Sequence, residues 1–218
     1  MYARSPPGAP RARGEVARAH GLSAGAGAWL RTAGLDAIFV GTATEHGWVT
    51  SATVRRIPPT AYPADRPHTL DIAGFSGGTE VFRVVARADR DETALPELEG
   101  RQAASMVIPN AADLTWANIK LDPATVAAAP TELSAVPQAQ ARAVVWTALI
   151  DGVALTEIDP RHLLAVLATS WAGESSQSII NRVGLQMSVR IIPQVIPESE
   201  QSGAYAVMAN AAAIMLAQ

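Results

Sequence analysis

The sequence has 218 residues, enough for one large or two modest domains. Its 49% hydrophobic and 17% charged residues exclude a disordered polymer and allow a sizeable core. A net charge of −3, with Lys120 as the single lysine, excludes the clustered basic surface that nucleic acid requires.

The absence of cysteine rules out a disulfide framework, a thiolate nucleophile and thiolate zinc ligands. No run approaches the roughly 20 apolar residues of a membrane span, and no compact apolar segment of the signal-peptide kind opens the chain. A cytoplasmic location, with neither nucleic acid nor membrane as partner, is the expectation.

Residues 1–22 carry Pro6, Pro7, Pro10, Gly8 and Gly14 among Arg4, Arg11, Arg13 and Arg18, with Glu15 as the only acid. This composition predicts a disordered basic arm. Residues 23–34, with small side chains around Trp29 and Leu30 and Gly34 at the end, predict a short terminal helix stopped by a glycine. On its own such a helix leaves Trp29 and Leu30 in need of packing partners.

Residues 35–122 read as a β-sandwich. Leu35 to Val40, Trp48 to Ile57, His68 to Phe75 and Glu80 to Ala88 are apolar or alternating. Trp48, Thr50, Ala52 and Val54 are expected on one face of their strand, and Phe82, Val84 and Ala86 on one face of theirs. Turn signals at Glu45-His46-Gly47, Ser76-Gly77-Gly78 and Asp89-Arg90-Asp91 separate the strands, and short strands so spaced suggest antiparallel pairing. Four prolines between Pro58 and Pro67 exclude a central strand there and predict a surface loop.

The character of the chain changes at Val107 to Pro123. An apolar strand ends at a Pro109-Asn110 turn, a half-turn follows at Ala111 to Thr115, and alternation at Ala117, Ile119 and Leu121 suits a last strand. Asp122-Pro123 then places a side-chain acceptor at a helix N-cap and a fixed φ at the first helical position.

Residues 123–218 show helical periodicity, in segments over Pro137 to Ala154, from Asp159-Pro160 to about Trp171, from Ser175 through Met187, and from Glu198 onward. Tyr205, Val207, Met208, Ile214, Met215 and Leu216 stand among alanines in the last of these, so an array cut short of a polar cap is expected. The fold class is therefore α+β, a small antiparallel sandwich followed by a partial helical array.

No chemical signal survives weighing against its context. The histidines His20, His46, His68 and His162 lack partners three or four residues away, and read as surface or loop residues rather than metal ligands. Gly74-Phe75-Ser76-Gly77-Gly78 matches the G-x-S-x-G elbow of serine hydrolases, yet an alternating strand follows where a helix is required, so Ser76 reads as a turn residue. Trp116 and Trp146 read as core residues that pin the helices to the sandwich. The Asp89, Asp91, Glu92 cluster lacks the spacing of a calcium loop and reads as a solvated turn. No catalytic, cofactor-binding or metal-binding residue is expected.

The junction nonetheless carries a resemblance. Asn110, Asp113, Leu114, Thr115, Trp116, Ala117, Ile119, Leu121 and Asp122 match the N-x-x-D-L-T-[YW]-A-x-[IV]-x-L-D segment of the aminopeptidase N family of zinc metallopeptidases, where it closes a β-sandwich and leads into a helical C-terminal domain. Trp29 to Gly34 resembles the end of that family's catalytic domain, and Tyr62-Pro63 through Arg66-Pro67-His68 resembles a loop-to-strand patch of its sandwich. The resemblance covers roughly residues 22–218. It departs at Ala111 and Ala112, where acidic residues are usual, and at Asn118, where a basic one is, so no family salt bridge is expected at those positions.

The resemblance implies a non-catalytic portion of such an enzyme, acting as spacer and substrate-access domain, with zinc and peptides bound only in the full-length family enzyme. The family's H-E-x-x-H and G-A-M-E-N-type segments are not in the sequence. The chain alone is therefore expected to be inactive, with the missing catalytic domain or another copy of itself as partner. The alternative is a free-standing sandwich-plus-helix module that binds another protein.

Overall fold

The computed structural model describes residues 32–217. The basic arm and nearly all of the short helix expected before Gly34 lie outside them. Gly34 itself has φ 79°, the left-handed conformation that suits a residue ending a helix.

Seven strands follow: β1 (Ala37–Glu45), β2 (Trp48–Ile57), β3 (His68–Ser76), β4 (Thr79–Ala88), β5 (Glu92–Ala94), β6 (Met106–Pro109) and β7 (Asn118–Lys120). They form two sheets, ordered β5-β2-β1-β7 and β4-β3-β6. The β1–β2 hairpin closes at His46 (φ 50°) and Gly47 (φ 82°), and the β3–β4 hairpin at Gly77 (φ 55°) and Gly78 (φ 79°). Consecutive positive φ angles match the right-handed twist of the flanking strands.

Glycine at position 78 answers a second demand, because a Cβ there would stand 2.5 Å from the carbonyl oxygen of Ala135. Gly74, the first glycine of the G-x-S-x-G match, has a similar reason: a Cβ would stand 2.4 Å from the ring of Phe82. Packing therefore accounts for the motif.

The sandwich is mainly antiparallel, as expected, with one exception. β7 pairs with β1 in parallel, Ile38 opposite Ile119, while the other strand pairs are antiparallel. After β6 the chain crosses from one sheet to the other through residues 110–117 and then runs alongside β1. The expected phase of β2 is corrected. Pairing shifts between Ala43 and Thr44 of β1, leaving Thr50 as an extra residue in β2. This bulge puts Val49 inward with Ala52 and Val54, and turns Trp48 and Thr50 to solvent.

The helices are α1 (Pro123–Glu132), α2 (Ala139–Ala154), α3 (Pro160–Val166), α4 (Gln177–Gln186), α5 (Ile192–Val195) and α6 (Glu198–Leu216), with wide π turns extending α3 over Leu167–Trp171 and α4 over Met187–Ile191. The fold is α+β. Asp122 caps α1 by accepting from the Thr125 backbone N–H at 2.8 Å, as Asp122-Pro123 predicts. The third expected helix begins at Gln177, not at Ser175.

Helix α1 packs on β6. The Thr125 hydroxyl accepts from the backbone N–H of Val107 at 2.8 Å and lies 3.0 Å from Asp122 Oδ2, so the N-cap also satisfies a strand. Pro130, inside α1, has no N–H to offer the carbonyl of Val126. His162 Nε2 takes that role, lying 2.6 Å from the Val126 oxygen. The reading of His162 as a plain surface residue is corrected accordingly: it repairs a helix.

Helix α2 is the centre of the helical part, burying Val144, Val145, Trp146, Leu149, Ile150 and Val153 among others. Trp146 is core, as expected. Lys120 of β7 pairs with Glu157 in the α2–α3 connection, tying the last strand to the helices.

Candidate functional site

The 110–118 crossing is built by one asparagine. Asn110 adopts φ 55°, which Asn tolerates better than most residues. Its Oδ1 accepts from the backbone N–H groups of Leu114 (2.8 Å) and Thr115 (3.1 Å), and its Nδ2 donates to the carbonyl of Thr115 at 2.9 Å. Asp71 of β3 holds the first part of the crossing, accepting from the N–H of Ala112 at 2.8 Å. The loop is thus held by Asn110 from within and by Asp71 from the neighbouring strand.

Beneath it lies a buried polar cluster. Asp36, fully buried, accepts from Arg66 Nη1 at 2.6 Å and bonds His68 Nε2 at 3.1 Å. With Nε2 as donor to the carboxylate, His68 Nδ1 accepts from the Thr115 hydroxyl at 2.8 Å. Arg66 also donates to Thr32 Oγ1 (2.6 Å) and to the carbonyl of Ala33 (2.8 Å). Residues 32–36, 66–68 and 115 are therefore joined in one network. One expectation is corrected here: His68 is buried, held by side chains far away in sequence. The proline-rich stretch is a surface loop, as expected, with Arg66 anchoring one end of it in the interior.

The network turns the loop's apolar residues outward. Trp116 is 75% exposed, Leu114 63% and Leu35 40%. Trp116 was expected in the core. His68 holds the Thr115 side chain inward, and Trp116, next in the chain and ahead of β7, faces solvent. Sequence pattern alone assigns an aromatic beside apolar residues to the core, and the fold-specific anchor at His68 reverses that.

Trp116 and Leu114 form one wall of a groove of about 730 Å³. Its other side is made by α2, through Ala143, Thr147 and Asp151, and by Arg182 of α4 and Arg190 of the π turn that follows. A smaller cleft of about 300 Å³, lined by Thr32 to Leu35, Arg66 and Trp116, adjoins the same tryptophan. Arg190 Nη1 lies 3.3 Å from Asp151 Oδ1. A concave site that mixes apolar and polar side chains can take a small ligand or a chain segment.

The other candidate residues are placed as follows. Ser76 ends β3, and its Oγ accepts from the N–H of Ser105 at 3.2 Å and lies 3.5 Å from the Ser105 hydroxyl. His46 sits exposed in a hairpin turn. Asp91 pairs with Arg56, Glu92 with Arg55 and Asp89 with Arg87, so each acid of that cluster has its own cation. Among the described residues no group of three His, Cys, Asp or Glu could hold a metal ion. None of their helices is long and apolar enough to cross a membrane.

No protein-family profile matches the chain. A curated relative does: the chain is 26% identical, over 188 residues, to aminopeptidase N of Streptomyces lividans. The match takes in 80% of this chain but 22% of that protein, so the chain is a distant relative of a part of an aminopeptidase N.

Proposed function

We propose that the chain is the non-catalytic C-terminal portion of an aminopeptidase N-like zinc metallopeptidase, serving as spacer and substrate-access domain. The observation that carries this reading is the 188-residue match to 22% of an aminopeptidase N. The Asn110 to Asp122 segment supports it as well, since it joins strands to helices, as the resemblance implies. A groove opening at that junction is suited to govern which peptides reach a neighbouring catalytic site. The residues present do not fit the family's zinc, because His46, His68 and His162 are scattered, and His68 is already held between Asp36 and Thr115. The chain's own share is to position and to admit.

On aminoacyl-coumarin reporters the purified chain is expected to show no turnover, with or without added zinc, because catalytic zinc needs three protein ligands and an open position. Added to a catalytic fragment of an aminopeptidase N that carries H-E-x-x-H and lacks the matching region, it is expected to raise reporter hydrolysis. Chelator-sensitive turnover by the chain alone overturns the non-catalytic assignment. Failure to affect the fragment favours a free-standing binding module.

Self-association is a further part of this proposal. From Gln201 to Leu216, α6 carries no charged residue, and it exposes Tyr205, Ile214 and Leu216. An apolar face of that kind is uncommon on a soluble monomer. Sedimentation is expected to show concentration-dependent oligomers that Ile214→Glu with Leu216→Glu disperses. A clean monomer at high concentration removes this part of the reading.

A further inference from the structure

The two walls of the groove differ in charge. The loop wall carries Asp113 beside Leu114 and Trp116, and the helix wall carries Arg182 and Arg190. Asp151, on the helix side as well, is engaged by Arg190, whereas Arg182 makes no hydrogen bond or ion pair with any described residue. The groove's lining therefore includes an exposed indole, small side chains such as Ala143 and Thr147, and a guanidinium without a counter-charge. A guanidinium presents a planar fork of donors matched to a carboxylate. An exposed tryptophan held on a fixed loop is a rigid apolar contact at low entropic cost.

We infer that this groove binds a short apolar peptide through a carboxylate, with Arg182 taking the carboxylate and Trp116 taking an apolar side chain. Asp113, on the opposite wall, reinforces the orientation: it repels the anionic end toward α4 and can accept from a backbone N–H of an extended ligand. The choice of a peptide rests on the substrate-access reading, and the carboxylate rests on the unpaired Arg182. About 730 Å³ is room for a few residues.

The test is calorimetric titration of the full chain with acetyl-Ala-Leu-Phe as free acid, with the same peptide as C-terminal amide, and with an amide whose last residue is glutamate. The free acid is expected to bind roughly fivefold more tightly than the amide, the size of one exposed ion pair. Arg182→Ala is expected to abolish that preference while leaving amide binding unchanged, and Arg182 is exposed, so the variant retains the fold. Trp116→Ala is expected to weaken both ligands. A glutamate amide that binds like the acid assigns the site to any carboxylate, and one that binds like the plain amide assigns it to the chain terminus. Equal binding of acid and amide, a preference that survives Arg182→Ala, or no binding at millimolar peptide overturns the inference. These outcomes are read without catalysis, so they are independent of the reporter assay that tests the proposed function.

Discussion

Replacing Arg142 with alanine is expected to destabilise the fold by about 3–5 kcal/mol, because it leaves a buried carboxylate without its counter-charge. Arg142 of α2 donates from Nε to Glu174 Oε2 at 2.9 Å and from Nη2 to Oε1 at 2.6 Å, a two-pronged pair buried on both sides. Its Nη1 also donates to the carbonyl of Val136 at 2.8 Å, fixing the turn before α2. Glu174 in turn accepts from the backbone N–H groups of Ser175 (3.0 Å) and Ser176 (2.8 Å), so one carboxylate anchors α2 to the start of α4.

The same pair predicts a pH dependence. Burial alone would push the Glu174 carboxyl up, but the Arg142 hydrogen bond, the Ser176 N–H and the Arg142 charge outweigh it and hold the group below its ordinary value of 4.5. A carboxyl depressed in the folded state contributes stability that is complete above its unfolded pKa and is lost as pH falls through the folded one. Urea unfolding should therefore show a large loss for Arg142→Ala at pH 7 and a smaller one near pH 3. The double variant Arg142→Met with Glu174→Met should recover most of the stability, since well-packed apolar residues can replace a buried pair. Equal losses at both pH values would mean that Arg142 acts through packing alone.

How much of this was legible depends on the range of the interactions. The hairpin turns at His46-Gly47 and Gly77-Gly78 and the Asp122-Pro123 cap are local devices, each contained within a few residues, and each is found where local chemistry puts it. The resemblance at Asn110 to Asp122 likewise pointed to the place where strands give way to helices. What was hidden depends on distant partners. His68 is buried because Asp36 and Thr115, 32 and 47 residues away, complete its hydrogen bonds. Trp116 is exposed because its neighbour Thr115 is the anchored residue. Helix α1 tolerates Pro130 because His162, from another helix, supplies the missing donor to Val126. The bulge at Thr50 inverts the phase of Trp48, and no local feature of β2 announces it. Asn110 could have been found, since asparagine directly after Pro109 and before a short turn is a signal for a side chain that bonds the backbone ahead of it. Arg182 had no such signal, because a lone arginine on a helix is ordinary until a groove opens beside it.

Replacing Asp36 with alanine is the sharpest test of the network that shapes the groove, with an expected loss of about 3–5 kcal/mol. Asp36 is fully buried, and Arg66, 2% exposed, would lose the carboxylate 2.6 Å from its Nη1 while keeping a cation in the interior. His68 would lose the acceptor for Nε2 and with it the constraint that leaves Nδ1 facing the Thr115 hydroxyl. The loop should then loosen although none of its own residues has changed. Asp36→Asn keeps an acceptor but removes the charge, and is expected to cost less, about 1–3 kcal/mol. Thermal unfolding ranks the two variants, and amide hydrogen exchange at Leu114 and Thr115 reads the loop directly. If Asp36→Ala unfolds at the wild-type temperature, or if exchange in the loop is unaltered in Asp36→Asn, then the Asn110 turn alone holds Trp116 in place and the buried cluster serves only the entry strand.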